Sequence, residues 1–254
     1  MEDVRADDAQ RPGLIVVLGG ARSGKSRYGE ELAAQLVGAG RVIYIATATA
    51  YDDEMRARIA RHRAERPAAW ATIEAPRDPA TALRASLGAD DGHEPPRAIL
   101  LDCVTLLAAN LLTGEGATAD DTPITISDAM SADAIGAEPA NDRSPAGYSD
   151  DATQADPLVA AASEARVLRA VDDLLAVARE HAIPLIVVTN EVGMGVVPPY
   201  PLGRVYRDIL GRANALLAAQ ADVVLLMLAG LPIELKALAT AWRERAASGM
   251  GASE

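Results

Sequence analysis

The sequence predicts an α/β fold with a mainly parallel sheet covered by helices on both faces, and three observations carry that prediction. Short, continuous apolar runs recur along the chain, helical patterns lie between them, and a glycine-rich loop joins the first run to the first helix. Continuous apolar runs suit strands buried on both faces, and alternation of strand with helix suits parallel pairing through crossovers.

In chain order the runs are Leu14 to Leu18, Val42 to Ala46, Ala98 to Cys103, Leu185 to Thr189 and Val223 to Leu228, each rich in Val, Ile and Leu. Trp70 to Ile73 reads as a further short strand. Helical spacing marks Ser26 to Val37, Asp53 to Arg63, Ala165 to Glu180 and Gly203 to Ala219. At 254 residues, half of them hydrophobic, the chain suits one sizeable core. A single domain over residues 13–245 is expected, with flexible ends at 1–12 and 246–254.

Residues 113–163 break the rhythm. They hold eight Asp, two Glu and one Arg, a net of −9 out of −12 for the whole chain, so the remainder is nearly neutral at −3. Low hydrophobicity and high charge predict an acidic, disordered insertion. The overall acidity argues against general nucleic-acid binding, which leaves a basic footprint. No run of about 18 apolar residues is long enough to span a membrane, and Met1 to Pro12 lacks the pattern of a signal peptide. These features predict a cytoplasmic protein without a membrane span.

The segment Gly19-Gly20-Ala21-Arg22-Ser23-Gly24-Lys25-Ser26 matches G-x-x-x-x-G-K-[ST] in the required strand, loop, helix setting. Glycines let successive N–H groups turn toward phosphate, and the helix N-terminus adds partial positive charge. Lys25 is expected on the β- and γ-phosphates of a nucleoside triphosphate, and the Ser26 hydroxyl on Mg²⁺. Asp102, ending the run Ala98 to Leu101, is the candidate acid for that metal; its alternative reading is a strand-end cap. Glu191, after the Leu185 strand, is a weaker candidate for the same neighbourhood.

Between Arg56 and Arg66 five arginines face one acid, Glu65, an attractive setting for phosphate groups. Met55 and Ile59 mark an inner helix face, with His62 on or beside it. A neutral imidazole is a competent nucleophile toward phosphorus, yet composition and spacing equally allow a packed or exposed histidine there. His93 and His181 lie in a polar segment and a helix-to-strand turn, poorer settings for chemistry. Cys103, the single cysteine, sits in an apolar run and reads as a small buried hydrophobe, with a catalytic thiol as the alternative.

Four segments together are more specific than the loop alone. They are Gly19 to Ser26; Tyr44-Ile45-Ala46-Thr47-Ala48 followed by Asp52-Asp53-Glu54-Met55; Arg58-Ile59 through His62 to Arg66-Pro67; and Val188-Thr189-Asn190-Glu191-Val192-Gly193-Met194-Gly195. In this combination, over roughly Gly13 to Lys236 without the insertion, the chain resembles the bifunctional adenosylcobinamide kinase/adenosylcobinamide-phosphate guanylyltransferase family of cobalamin biosynthesis. The resemblance implies a RecA-like P-loop fold, a homotrimer and two reactions. Adenosylcobinamide would take the γ-phosphoryl group of ATP or GTP. A histidine would then take GMP from GTP, expel pyrophosphate and pass GMP to adenosylcobinamide phosphate.

By position the matching histidine is His62, and its preceding neighbour, histidine in some relatives, is Arg61 here. Thr47, Ala48, Thr49, Arg66 and Glu74 match nucleotide-contacting regions of the family, and Asp102 stands where an acid is typical. The alternative functions are a RecA-like ATPase, a kinase for another small metabolite, and a non-catalytic nucleotide-binding regulator.

Overall fold

In the computed structural model the described residues are 13–49, 53–64, 66–89, 92–113 and 157–249. The predicted N-terminal extension, most of the predicted insertion, and residues 250–254 of the predicted tail lie outside them. The elements run β1 (Leu14–Gly19), α1 (Lys25–Val37), β2 (Val42–Ala46), α2 (Asp53–Ala64), β3 (Ala71–Glu74), α3 (Pro79–Leu87), β4 (Ala98–Asp102) and α4 (Val104–Thr113). After the undescribed segment come α5 (Pro157–Glu180), β5 (Leu185–Asn190), α6 (Pro201–Gln220), β6 (Val223–Leu228), β7 (Leu231–Glu234) and α7 (Leu235–Gly249).

The strands form one seven-stranded sheet in the order β3-β2-β4-β5-β1-β6-β7, the mainly parallel, helix-covered α/β architecture that the sequence predicts. Every pairing is parallel except that of β6 with β7. Those two strands form a hairpin through Ala229 and Gly230, both with positive φ (51° and 83°), as the right-handed twist of a two-residue turn requires.

Because side chains alternate along a strand, each buried run feeds two layers. Leu14, Val16, Leu18, Ile43, Ile45, Ile99, Leu101, Leu185 and Val187 meet α3, α4, α5 and α6 on one face. Ile15, Val17, Val42, Tyr44, Leu100, Ile186 and Val188 meet Ala33 and Val37 of α1 on the other. Burying each such large aliphatic side chain contributes roughly 1.5–3 kcal/mol.

Two predicted boundaries change. Residues 157–163, expected within the disordered insertion, are helical, and Ser163 is buried. Pro157 suits a first helical turn, and Leu158 with the three alanines at 160–162 has high helix propensity. Residues 246–249, expected in the tail, extend α7. Helix α3 also has clear local causes: the Asp78 side chain accepts from Thr81 N at 3.0 Å, with Pro79 in the first turn.

Asn110 locks α4 into this frame, its buried Nδ2 donating to the carbonyls of Thr47 (2.8 Å) and Pro76 (3.0 Å). Replacement by the near-isosteric Leu leaves buried acceptors unpaired at about 1–3 kcal/mol each. Asn110→Leu is therefore expected to lose about 2–4 kcal/mol of stability, read as a lower urea midpoint at unchanged denaturant slope.

Candidate active site

The site is built at the C-terminal ends of the strands, where an open parallel sheet converges on its ligand crevice. The loop from Gly19 to Gly24 leaves β1 and hands over to α1 at Lys25. Gly24 has φ +88°, a left-handed conformation disfavoured for residues with a Cβ. At Gly19 a Cβ would stand 2.5 Å from Ser23 Oγ and 2.9 Å from the Met227 carbonyl, so the loop closes tightly only because none is there. Arg22 also takes positive φ (57°) and points into an exposed part of the loop with Ala21. Lys25 Nζ donates to the Gly20 carbonyl at 3.1 Å, lying across the loop. Ser23 Oγ is buried without a hydrogen-bond partner among the described residues, and so is Asn190 Oδ1 on the adjoining strand end.

Asp102 comes to this loop from β4. Its Oδ1 accepts from Ser26 Oγ at 3.3 Å, and its Oδ2 accepts from the Tyr44 hydroxyl at 2.8 Å. A serine hydroxyl beside a carboxylate gives two hard oxygens suited to Mg²⁺, which typically takes one or two protein donors and completes its shell with phosphate and water. Tyr44 is buried, and its phenol is pushed well above its usual range, first by burial and then by the charge of Asp102. It therefore stays protonated and keeps donating to the carboxylate.

The same ring carries Arg66, whose guanidinium carbon lies 3.3 Å from the ring centroid. Arg66 also reaches Glu30 of α1 (3.5 Å) and Thr72 of β3 (3.4 Å) with its side chain almost wholly buried. Arg66 lies just beyond the C-terminal end of α2, so that end is fixed against β2, β3 and α1. His62 lies on α2, one helical turn before Arg66, while its side chain falls outside the described residues, as do those of Met55 and Ile59. Arg63 approaches Glu74 at 3.7 Å in an exposed pair.

Thr47 is fully buried, and its hydroxyl exchanges two 2.7 Å hydrogen bonds with the Cys103 backbone. That side chain pins β2 to β4, while Ala48 and Thr49 are the partly exposed members of the segment. Glu191 is brought beside the loop by its N–H to the Gly19 carbonyl, but its carboxylate turns back to Gly193 N at 2.6 Å. Among the acids examined by sequence, Asp102 is thus the one presented to Ser26. His93 and His181 line a cavity of about 990 Å³ at the opposite ends of the strands, with no residue in common with the phosphate loop.

The residue that sequence reasoning undervalued is Tyr44. Its phenol looks like part of an apolar strand until the β2–β4 register sets Ala46 opposite Asp102, which brings the Tyr44 ring diagonally toward the same acid.

A phosphate loop after β1, a serine at the first turn of α1 and an acid on β4 define a P-loop nucleotide-binding protein. The chain belongs to the CobU family, described as cobinamide kinase / cobinamide phosphate guanyltransferase, whose model matches residues 15–235. It is 40% identical over 227 residues to the bifunctional adenosylcobalamin biosynthesis protein CobU of Salmonella typhimurium, covering 88% of this chain and 99% of that one. It is 34% identical to the protein of the same name from Escherichia coli, over 88% of this chain and 99% of the relative. The bifunctional adenosylcobalamin biosynthesis protein CobP of Pseudomonas aeruginosa is 37% identical, with coverage of 87% and 96%.

Two substitutions separate the functions of the Tyr44 ring. Tyr44→Phe keeps the face under Arg66 and removes the bond to Asp102; stability is expected to fall by about 1–2 kcal/mol, read in urea denaturation. Tyr44→Leu removes the cation–π contact too, worth about 0.5–2 kcal/mol, and should add a further loss seen in thermal melts.

Cys103 supplies a pH test. Burial, and then Asp102, push its thiol up to about 11, so it is protonated at neutral pH and unsuited to nucleophilic work. The unfolded thiol titrates at about 8.5, hence between about pH 8.5 and 11 the unfolded chain has released a proton that the folded chain retains. Stability should fall with rising pH in that window. Denaturation of Cys103→Ala should show a shallower decline; Tyr44 and Tyr206, raised chiefly by burial, add their share only above about pH 10.

Proposed function

We propose that this chain phosphorylates adenosylcobinamide at the expense of ATP or GTP, then transfers GMP from GTP to the resulting phosphate through a covalent adduct on His62. Its product is adenosylcobinamide-GDP. The observation that carries the reading is the meeting of Ser26, Asp102 and Tyr44 at the phosphate loop, with α2 anchored to that same tyrosine through Arg66.

In the kinase step the loop from Gly19 to Ser26 cradles the phosphates with backbone N–H groups, and Lys25 neutralises charge on the transferred group. Ser26 and Asp102 are the residues that would hold Mg²⁺, which when bound supplies charge neutralisation on the phosphate oxygens. The orphaned Ser23 Oγ supports this use of the loop, since a buried hydroxyl without a partner is a ready donor to phosphate.

In the second step His62 Nε2 or Nδ1 attacks the α-phosphorus of GTP, the bond to the bridging oxygen breaks, and pyrophosphate leaves. The phosphoryl oxygen of adenosylcobinamide phosphate then attacks the same phosphorus and displaces the imidazole. Covalent relay splits one difficult displacement into two with positioned nucleophiles. The arginine-rich sequence of α2 favours this role because guanidinium groups suit phosphate. A homotrimer belongs to the same reading. Leu228, Leu231, Leu238 and Trp242 on the hairpin and α7 are exposed large apolar side chains of the kind that subunits cover. A cytoplasmic setting follows from the substrates, because nucleoside triphosphates are kept there. Residues 13–245 act as one catalytic domain, on the ground that a single sheet runs from Leu14 to Glu234.

Incubation with α-labelled GTP is expected to label the protein in an acid-labile, base-stable form that disappears in His62→Ala. Undiminished labelling of that variant would remove His62 from the mechanism. Lys25→Ala is expected to slow phosphorylation of adenosylcobinamide by about 100-fold or more, measured by mass spectrometry of the product. If adenosylcobinamide were ignored and another hydroxyl compound phosphorylated, the metabolite-kinase alternative would take its place.

A further inference from the structure

Away from the phosphate loop, a recess of about 300 Å³ opens between α3, α4 and α5. Arg77, Arg84, Arg166 and Arg169 line it, with Asp78 and Asp173 as its acids. The Asp78 carboxylate is already engaged as the cap of α3, accepting from Thr81 N. Arg84 meets Glu180 at 3.7 Å in an exposed pair of little energetic weight. Arg77 and Arg169 have no hydrogen-bond or ion-pair partner among the described residues. Arg166 donates from Nη2 to Ser163 Oγ at 3.0 Å, whereas its Nε is buried and has no acceptor among the described residues. A buried charged donor without an acceptor is costly, and a ligand oxygen relieves that cost.

The larger cavity at the other end of the sheet also contains arginines, but two of them are satisfied: Arg179 donates to Gln220 at 2.7 Å, and Arg41 to the Glu94 carbonyl at 3.4 Å. In the smaller recess the side chains of Arg77 and Arg169 and the Nε of Arg166 have no partner among the described residues. At about 30 Å³ per water it holds roughly ten waters, room for a small hydrated ion. Its apolar lining consists of Ala80, Ala170 and Leu111, with no aromatic ring on which a base could stack. Three guanidiniums with spare donors suit a multiply charged anion, and their forked geometry suits phosphate oxygens.

We propose that this recess is a second anion site, distinct from the phosphate loop, for a small multiply charged phosphoryl anion of the pyrophosphate class. Arg166 Nε forms its buried floor, and Arg77 and Arg169 its rim. The site shares no residue with the loop or with Asp102, and it adjoins the nucleotide side through Asn110, which holds both Thr47 and the Pro76 carbonyl next to Arg77.

Equilibrium dialysis of radiolabelled pyrophosphate against full-length protein carrying Lys25→Ala tests this with the loop weakened. One equivalent is expected to remain bound per chain, with orthophosphate and citrate competing poorly. Adding Arg77→Gln and Arg169→Gln, both at exposed positions where folding is not at stake, should weaken binding at least tenfold. Arg166→Gln should do the same, with circular dichroism confirming that the variant is folded. Loss of all binding in Lys25→Ala alone would place the anion at the phosphate loop and overturn the proposal. Binding unchanged by the rim pair would overturn it as well, and citrate binding as tightly as pyrophosphate would overturn the phosphoryl assignment. None of these outcomes depends on labelling of His62, so the second site and the guanylyl-transfer reading stand or fall separately.

Discussion

The carboxylate of Asp102 gathers parts of the chain that lie far apart in sequence, accepting from Ser26 across 76 residues and from Tyr44 across 58. A partly buried carboxylate needs such partners, because desolvation without them costs several kcal/mol or drives protonation. Here the two donors come from α1 and β2, while the acid itself comes from β4. The acid therefore holds the phosphate loop in register with the sheet, and the sheet in turn holds the acid at a strand end.

That arrangement depends on β5. Strands β1 and β4 do not pair with each other; both pair with β5, which sets Gly19 opposite Asn190 and Asp102 opposite Val188. Helix α1 must then reach from the end of β1 across β5 toward β4 for Ser26 to meet Asp102, and its packing on β4 and β5 accomplishes this. Thr189 and Asn190 are fixed from the other face. Thr189 Oγ1 donates to Asn214 Oδ1, Asn214 Nδ2 donates to the Asn190 carbonyl, and Thr105 Oγ accepts from Asn190 N. These bonds come from α6 and α4, so the helices of the more heavily covered face set the strand end that borders the loop. Asn190 Oδ1 has no partner there among the described residues, a buried acceptor that a donor arriving in the crevice would satisfy.

Much of this was legible in the sequence because burial on both faces writes itself as continuous apolar runs. The five inner strands and the loop that follows β1 needed no more than that pattern and the phosphate motif. Helices α3 and α4 were harder to see. Val104 to Leu112 continues the apolar run of β4 almost without interruption, and an element buried nearly all round carries no amphipathic period. Strand β7 hides for the opposite reason: Leu-Pro-Ile-Glu is short, contains proline and lies exposed at the edge, where a missing donor is tolerated. At the site, Ser26 and Asp102 announced themselves by motif and by strand-end position. Arg66 was named through the family resemblance, but its contact with the Tyr44 ring and that ring's bond to Asp102 were not, because they require the register of β2 with β4 and of β2 with β3, which no local pattern contains.

Tyr44 ties two parts of the site together. Its hydroxyl is committed to the acid beside the phosphate loop, and its face is committed to Arg66 at the end of α2. A rigid ring transmits position better than a flexible chain, since its edge and its face cannot move independently. Arg66 is held on three sides, by Tyr44, Glu30 and Thr72, so the last turn of α2 inherits the placement of the core. Toward its N-terminus the helix shows a local pair between Asp53 and Arg56, and such an exposed pair adds little rigidity. The constraint that Arg66 places just beyond α2 therefore originates in the same side chain that orients Asp102.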